Sequence, residues 1–118
     1  MIKKLEISGI HAKIDKKLRD YVTEKIGLVD KYLPRSARES AHTEVKLIGE
    51  KIKTRQVYIC EVILYLPHGV ITSKENAGSF EEAVDLVEDK LKNQLKKYKD
   101  RHGRKRLHHR VFDKIRRR

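Results

Sequence analysis

The feature that most limits how this chain can fold is one long amphipathic pattern that begins at Ser79. Ser79 and Glu82 have capping-box spacing, in which the serine hydroxyl accepts a backbone N–H bond and the glutamate reaches back to the serine amide. After Ser79, apolar residues recur every three or four positions, which places them on one stripe of a helix. A helix with one apolar face must be covered by another layer of structure. The stripe consists of Phe80, Val84, Val87, Leu91, Leu95 and Tyr98.

Several upstream segments have the pattern of strands that can supply this layer. The longest is apolar on both faces, and Glu61 marks one face as the wetter one, so the core set predicted for the other face is Tyr58, Cys60, Val62, Leu64 and Leu66. Proline and glycine in Pro67-His68-Gly69 predict a hairpin turn, and the residues from Gly49 to Arg55 predict a charged connection. The predicted strands are residues 4–8, the alternating positions around Val45 and Leu47, residues 57–66 and residues 70–74.

A second helical pattern runs from Asp15 to Leu33. Asp15 is placed to cap its first turn, and Pro34 ends it, because the proline ring disfavours a helical conformation at Leu33. The order of elements is therefore β-α-β-β-β-α. We predict an α+β fold in which two helices pack on one face of a four-stranded sheet.

The net charge of +12 is concentrated at one end of the chain. Residues 90–118 hold 14 basic residues and two acidic ones, whereas residues 1–89 hold equal numbers of each. A basic block beside a neutral body is typical of a protein that binds a polyanion. A tail kept for solubility and a membrane-surface anchor are weaker interpretations, because solubility does not require such concentration and the basic segment has few apolar anchors.

Other classes of function have little support in the sequence. No apolar run approaches the ~20 residues that a bilayer requires, and no secretory signal is present, so we expect a cytoplasmic protein without a membrane partner. Cys60 is the only cysteine and lies in an apolar strand, where a buried, inert thiol is expected. His108 and His109 would point about 100° apart on a helix among other cations, which opposes metal binding. No base or nucleophile is spaced to make His11 or His42 catalytic. We predict no catalytic residue, cofactor or metal.

Cations follow both flanks of the last helical stripe. Such rows can contact phosphates without reading bases, and the first helix adds Arg19 and Lys25. One flank of the last helix carries Lys90, Gln94, Lys97 and Arg101, and the other carries Lys92, Lys96 and Lys99.

In these residues the chain resembles the ribosome hibernation-promoting factors, also called ribosome-associated translation inhibitors, in their short form. The resemblance covers about residues 2–101 and depends above all on the last helix combined with the order of elements. The segments that carry it are Ile7-Ser8-Gly9, Leu18-Arg19-Asp20-Tyr21-Val22 with Lys25 and Tyr32-Leu33, Leu66-Pro67-His68-Gly69, and Asp89-Lys90-Leu91-Lys92-Asn93-Gln94-Leu95-Lys96-Lys97-Tyr98-Lys99-Asp100.

The resemblance implies a fold similar to double-stranded-RNA-binding domains and a particular partner. Such factors bind the small ribosomal subunit and its rRNA in the channel for mRNA and tRNA, compete with both ligands, and so inhibit translation while protecting idle ribosomes. Asn93 stands where the family usually has arginine, and Lys92 or Lys96 is expected to replace that contact. The resulting set of RNA contacts is Arg19, Lys25, Lys90, Lys92, Gln94, Lys97, Lys99 and Arg101.

We expect a ribosome-binding domain over residues 1–101 and a basic tail over residues 102–118. Because no dimerisation domain follows, a monomer is expected when the protein is free. The alternative is a general structured-RNA-binding module, or a ribosome-associated chaperone-like protein, without a hibernation role.

Overall fold

A computed structural model describes residues 4–67 and 69–102 of the chain, and the side chains of all of these except Ser36 and residues 99–102. The four strands are β1 (Lys4–Ile10), β2 (His42–Ile52), β3 (Arg55–Leu66) and β4 (Gly69–Ala77). The helices are α1 (Lys16–Gly27), the short α2 (Arg35–Arg38) and α3 (Phe80–His102), and a 3₁₀ turn spans Leu28–Tyr32. Apart from His102, the tail predicted over residues 102–118 lies outside the described residues.

The four strands form one mixed sheet in the order β1-β2-β3-β4. β1 pairs with β2 in parallel, which is possible because α1 provides the crossover between them, and the other two pairings are antiparallel. Val45 and Val62 face each other across β2 and β3, and Ser73 of β4 continues the row. The predicted α+β class, the strand count and the placement of two long helices on one face are confirmed.

The core lies between the sheet and the apolar stripe of α3. The predicted core residues of β3 are buried except Tyr58, which is partly exposed and packs edge-on against Phe80 with 4.9 Å between the ring centroids. Inward positions of the other strands are buried or packed on this core, as the alternation predicts. The fully buried side chains of α3 are Ala83, Val84, Val87, Leu91 and Leu95, with Tyr98 only 2% exposed.

The start of α3 is capped almost as its sequence predicts. The Ser79 hydroxyl accepts the backbone N–H of Glu82 at 3.2 Å. The Glu82 carboxylate, however, accepts the N–H of Gly78 at 3.0 Å rather than that of Ser79. Both bonds satisfy donors at the helix start that have no partner within the helix.

The first helix is shorter than predicted. Asp15 caps it by accepting the Leu18 N–H at 2.8 Å, but regular α-helix ends at Gly27 and a 3₁₀ turn continues to Tyr32. The tighter turn still buries Val29 and Leu33, so the apolar stripe is kept although the helix type changes. Leu33 is extended, with ψ of 150°, as expected before proline, and the unpredicted α2 follows.

The charged connection predicted from Gly49 to Arg55 is wrong. β2 and β3 remain paired as far as Ile52 and Arg55, and only Lys53 and Thr54 form the turn. Lys53 has a φ of +59°, a conformation that glycine usually adopts, so no glycine or asparagine in the sequence signals this turn.

Candidate nucleic-acid interface

On the flank that faces α1, the N-terminal half of α3 is acidic and is bound to the first helix. The Tyr21 hydroxyl donates a hydrogen bond to Asp85 at 2.6 Å, and the Lys25 ammonium lies 3.7 Å from Asp85 and 3.8 Å from Glu88. The bond to Asp85 is the main reason why the pKa of Tyr21 rises to about 12, so the phenol stays neutral at physiological pH. Lys25, predicted as an RNA contact, is therefore engaged with two carboxylates of α3.

On the opposite flank, α3 is bound to the edge strand β4. Lys90 forms an ion pair with Glu75, and the Gln94 amide donates a hydrogen bond to the backbone carbonyl of Thr72 at 3.2 Å. Both side chains were predicted as RNA contacts, and both make contacts within the protein instead of extending freely into solvent. They fix α3 against the sheet edge.

The C-terminal half of α3 presents cations that are not used in this way. Lys96 and Lys97 are exposed and Lys92 is half-buried, and none of the three forms an ion pair with any side chain that the structure describes. Cations near a helix C-terminus also interact favourably with the helix dipole, so this charge does not oppose folding of α3. Lys99 and Arg101 belong to the same helix, but their side chains lie outside the described part of the chain.

Arg19 lies apart from these lysines. Its side chain is exposed and lines an open groove of about 460 Å³ at the β1 edge of the sheet, together with residues of β1 and β2. Because Tyr21 and Lys25 face α3, Arg19 occupies the other flank of α1. The structure therefore divides the predicted RNA contacts between two separate surfaces.

The face of the sheet without helices has mixed charge. His42 lies 3.4 Å from the carboxylate of Glu6, and the Tyr65 hydroxyl donates a bond of 2.8 Å to Glu44, which raises the pKa of that phenol. Acidic groups are thus interleaved with the cations of this face, which weakens its attraction for phosphate. The exposed lysines of α3 form the better candidate interface.

The sequence analysis did not include Lys96 among its predicted contacts, although the same helical spacing placed it beside Lys92. It also missed the contacts of α1 with α3, because Tyr21 and Asp85 are distant in sequence and meet only after the two helices pack. Among residues 4–67 and 69–102, no set of three or more histidine, cysteine or acidic side chains is arranged to hold a metal ion. In the same part of the chain, no helix combines the length and apolar character needed to cross a bilayer.

Comparison with known proteins places this interface in a family. Residues 5–103 match the family model described as sigma 54 modulation protein / S30EA ribosomal protein. A ribosome hibernation promotion factor of Lactococcus lactis is 30% identical over 102 residues, which are 86% of this chain and 52% of the relative. A ribosome hibernation promoting factor of Pseudomonas putida is 29% identical over 97 residues, or 82% of this chain and 87% of the relative. The chain thus spans about half of the Lactococcus protein and most of the Pseudomonas one.

Solved structures support the fold. The N-terminal domain of Thermus thermophilus Protein Y matches with a TM-score of 0.65 and 24% identity, over 79% of this chain and 94% of that domain. A ribosomal subunit interface protein from Coxiella burnetii matches with a TM-score of 0.66 and 23% identity, over 81% of this chain and 97% of its own length. The sequence match over residues 5–103 and the shared fold lead to one conclusion: the chain belongs to the sigma 54 modulation protein / S30EA ribosomal protein family, the family of the ribosome hibernation promoting factors.

Proposed function

We propose that this protein is a ribosome hibernation factor that binds the small ribosomal subunit through the C-terminal half of α3. Lys92, Lys96 and Lys97 contact phosphates of the ribosomal RNA, and the cations that follow in the same helix extend this contact. Seated in the channel for mRNA and tRNA, the protein blocks translation by occlusion and requires no catalysis. Idle ribosomes are protected while the channel is filled.

The observation that most supports this proposal is the unequal use of charge along α3. Its acidic N-terminal half is bound to α1 through Asp85 and Glu88, whereas the described lysines of its C-terminal half remain available. Phosphate backbones attract such unpaired cations, and the resulting affinity depends on charge and shape rather than on base sequence. The names of the relatives supply the ribosome as the source of the RNA.

Lys25, Lys90 and Gln94 have a different role in this proposal. Their contacts with α1, β4 and α3 hold the last helix in a fixed orientation, so they position the lysines that bind RNA. Arg19, on the other flank of α1, contributes a separate and weaker contact. The predicted contacts at Lys99 and Arg101 remain part of the proposal because they continue the same helix.

Competition for purified small subunits tests the proposed function. Labelled protein is bound to the subunits, and mRNA with initiator tRNA is then added. If the protein occupies the channel, both ligands together displace it, and the protein in turn inhibits translation in a reconstituted extract. Binding that survives saturating mRNA and tRNA would contradict occlusion. Equal affinity for any RNA duplex would instead favour the general RNA-binding module.

A further inference from the structure

The hairpin between β2 and β3 extends beyond the rest of the sheet. β1 is paired with β2 only as far as Ile10 and Ile48, and β4 is paired with β3 only as far as Ala77 and Tyr58. Pairing of β2 with β3 continues to Ile52 and Arg55. Residues 49–57 therefore form a two-stranded ribbon with no neighbouring strand on either side, which we name the ribbon.

The ribbon carries a cluster of exposed cations. Lys51, Lys53 and Arg55 are all exposed, and none of them forms an ion pair with a described side chain. Glu50 is the only acidic residue of the ribbon. Beside the cations, Ile52 is 51% exposed and helps to line an open groove of about 510 Å³. The ribbon therefore presents unpaired positive charge on a projecting part of the molecule.

The backbone at the tip shows that one of these cations occupies an unfavourable position. Lys53 is the first residue of the two-residue turn and has a φ of +59°, whereas Thr54 has no positive φ. Glycine is the residue that such a turn favours, because a side chain at positive φ costs conformational energy. A lysine that persists in a strained conformation is consistent with a functional use of its charge.

The ribbon lies far from the lysines of α3. It projects from the end of the sheet where Phe80 begins α3 beside Tyr58, whereas Leu95 packs with Leu64 and Leu66 at the other end. From the turn to the level of Leu64 is about ten residues, and a strand rises about 3.4 Å per residue, so the two cationic surfaces are roughly 30 Å apart. Two separated surfaces of the same sign fit an extended polyanion better than a small anion.

We propose that the ribbon is a second RNA contact, in which Lys51, Lys53 and Arg55 bind phosphates of the ribosomal RNA while α3 occupies the channel. This inference rests on the proposed function, because it takes the small subunit as the partner. Contact at both ends of the domain fixes its orientation on the particle, which a single basic helix could not do alone.

The salt dependence of binding tests the ribbon contact. In a Lys53→Gly, Arg55→Gln variant, two charges are removed, and glycine suits the backbone conformation at position 53, so the hairpin should stay folded. Each lost phosphate contact lowers the slope of log affinity against log salt by about 0.7 to 0.9, so the slope for small subunits should fall by roughly 1.4 to 1.8. A Lys4→Gln, Lys74→Gln variant removes the same charge from exposed positions outside the ribbon, and its slope should change little. An unchanged slope in the ribbon variant, or an equal change in the control, would overturn the proposal.

Directed cleavage of RNA tests the position of the ribbon. A Thr54→Cys variant is labelled with an iron chelate that generates hydroxyl radicals, and the native Cys60 stays unlabelled because it is fully buried. We expect cleavage of small-subunit RNA near the bound ribbon. If the labelled protein binds the subunit but cuts no RNA, the ribbon proposal fails while the proposed function stands. If the parent chain does not bind the subunit at all, the proposed function itself fails.

Discussion

Neutralising the three described lysines of the interface should weaken RNA binding without unfolding the protein. The perturbation is a Lys92→Gln, Lys96→Gln, Lys97→Gln variant. Glutamine keeps most of the side-chain length and has a helix propensity close to that of lysine. None of these lysines forms an ion pair with a described residue, so the free energy of unfolding should change by less than about 0.5 kcal/mol.

The expected size of the effect follows from counterion release. If each lysine contacts one phosphate, losing three contacts lowers the salt slope by about 2.1 to 2.7. Between 50 and 200 mM salt, the parent should therefore lose roughly 20- to 40-fold more affinity for small subunits than the variant loses. Fluorescence anisotropy at several salt concentrations measures both slopes, and thermal melting confirms that the variant is folded.

A matched control separates contact from general charge. A Lys4→Gln, Lys13→Gln, Lys74→Gln variant loses the same charge from three exposed positions outside α3. If this control lowers the salt slope as much as the α3 variant does, net charge and not the surface of α3 determines binding. If the α3 variant keeps the slope of the parent, the described lysines do not contact RNA and the reasoning is refuted.

Three further predictions concern the structure that supports the interface. Lys90→Glu would place two carboxylates together beside β4 and should lower the free energy of unfolding by about 1 kcal/mol, a modest value because Lys90 is 59% exposed; adding Glu75→Lys should restore it in urea titrations. Leu91→Ala would leave a cavity under α3 and should cost about 3 kcal/mol, since Leu91 is fully buried; a change below 1 kcal/mol would contradict the packing described above. Burial raises the pKa of the Cys60 thiol to about 12 from 9.0, so the folded state holds the neutral form while the unfolded chain ionises; the free energy of unfolding should fall between pH 9 and 12, and less so in Cys60→Ala.

Some elements could be predicted because their signals are local. The stripe of α3, the cap at Asp15 and the alternation in β3 are repeated along a short stretch of chain, and each stretch buries one face whatever lies beyond it. The turn at Lys53 could not be predicted from its residues. Extended pairing of β2 with β3 imposes a positive φ on a lysine, and that pairing is a property of two strands together.

The candidate site divides in the same way. Helical spacing alone placed lysines on both flanks of α3, and the charge excess after residue 90 follows directly from counting. Spacing could not distinguish Lys90 from Lys97, however, because both positions are equally polar on an isolated helix. Packing against β4 brings Glu75 to Lys90, and no described carboxylate pairs with Lys97.

The sequence by itself determined the element types, the buried face of each element and the location of the excess charge, since these depend on residue spacing and on composition. Only the tertiary structure decided which cations are used inside the protein and which remain available to a partner. An ion pair requires two side chains to lie within about 4 Å. For Lys25 and Lys90 that distance is set by how the helices pack on each other and on the sheet, not by their neighbours in the chain.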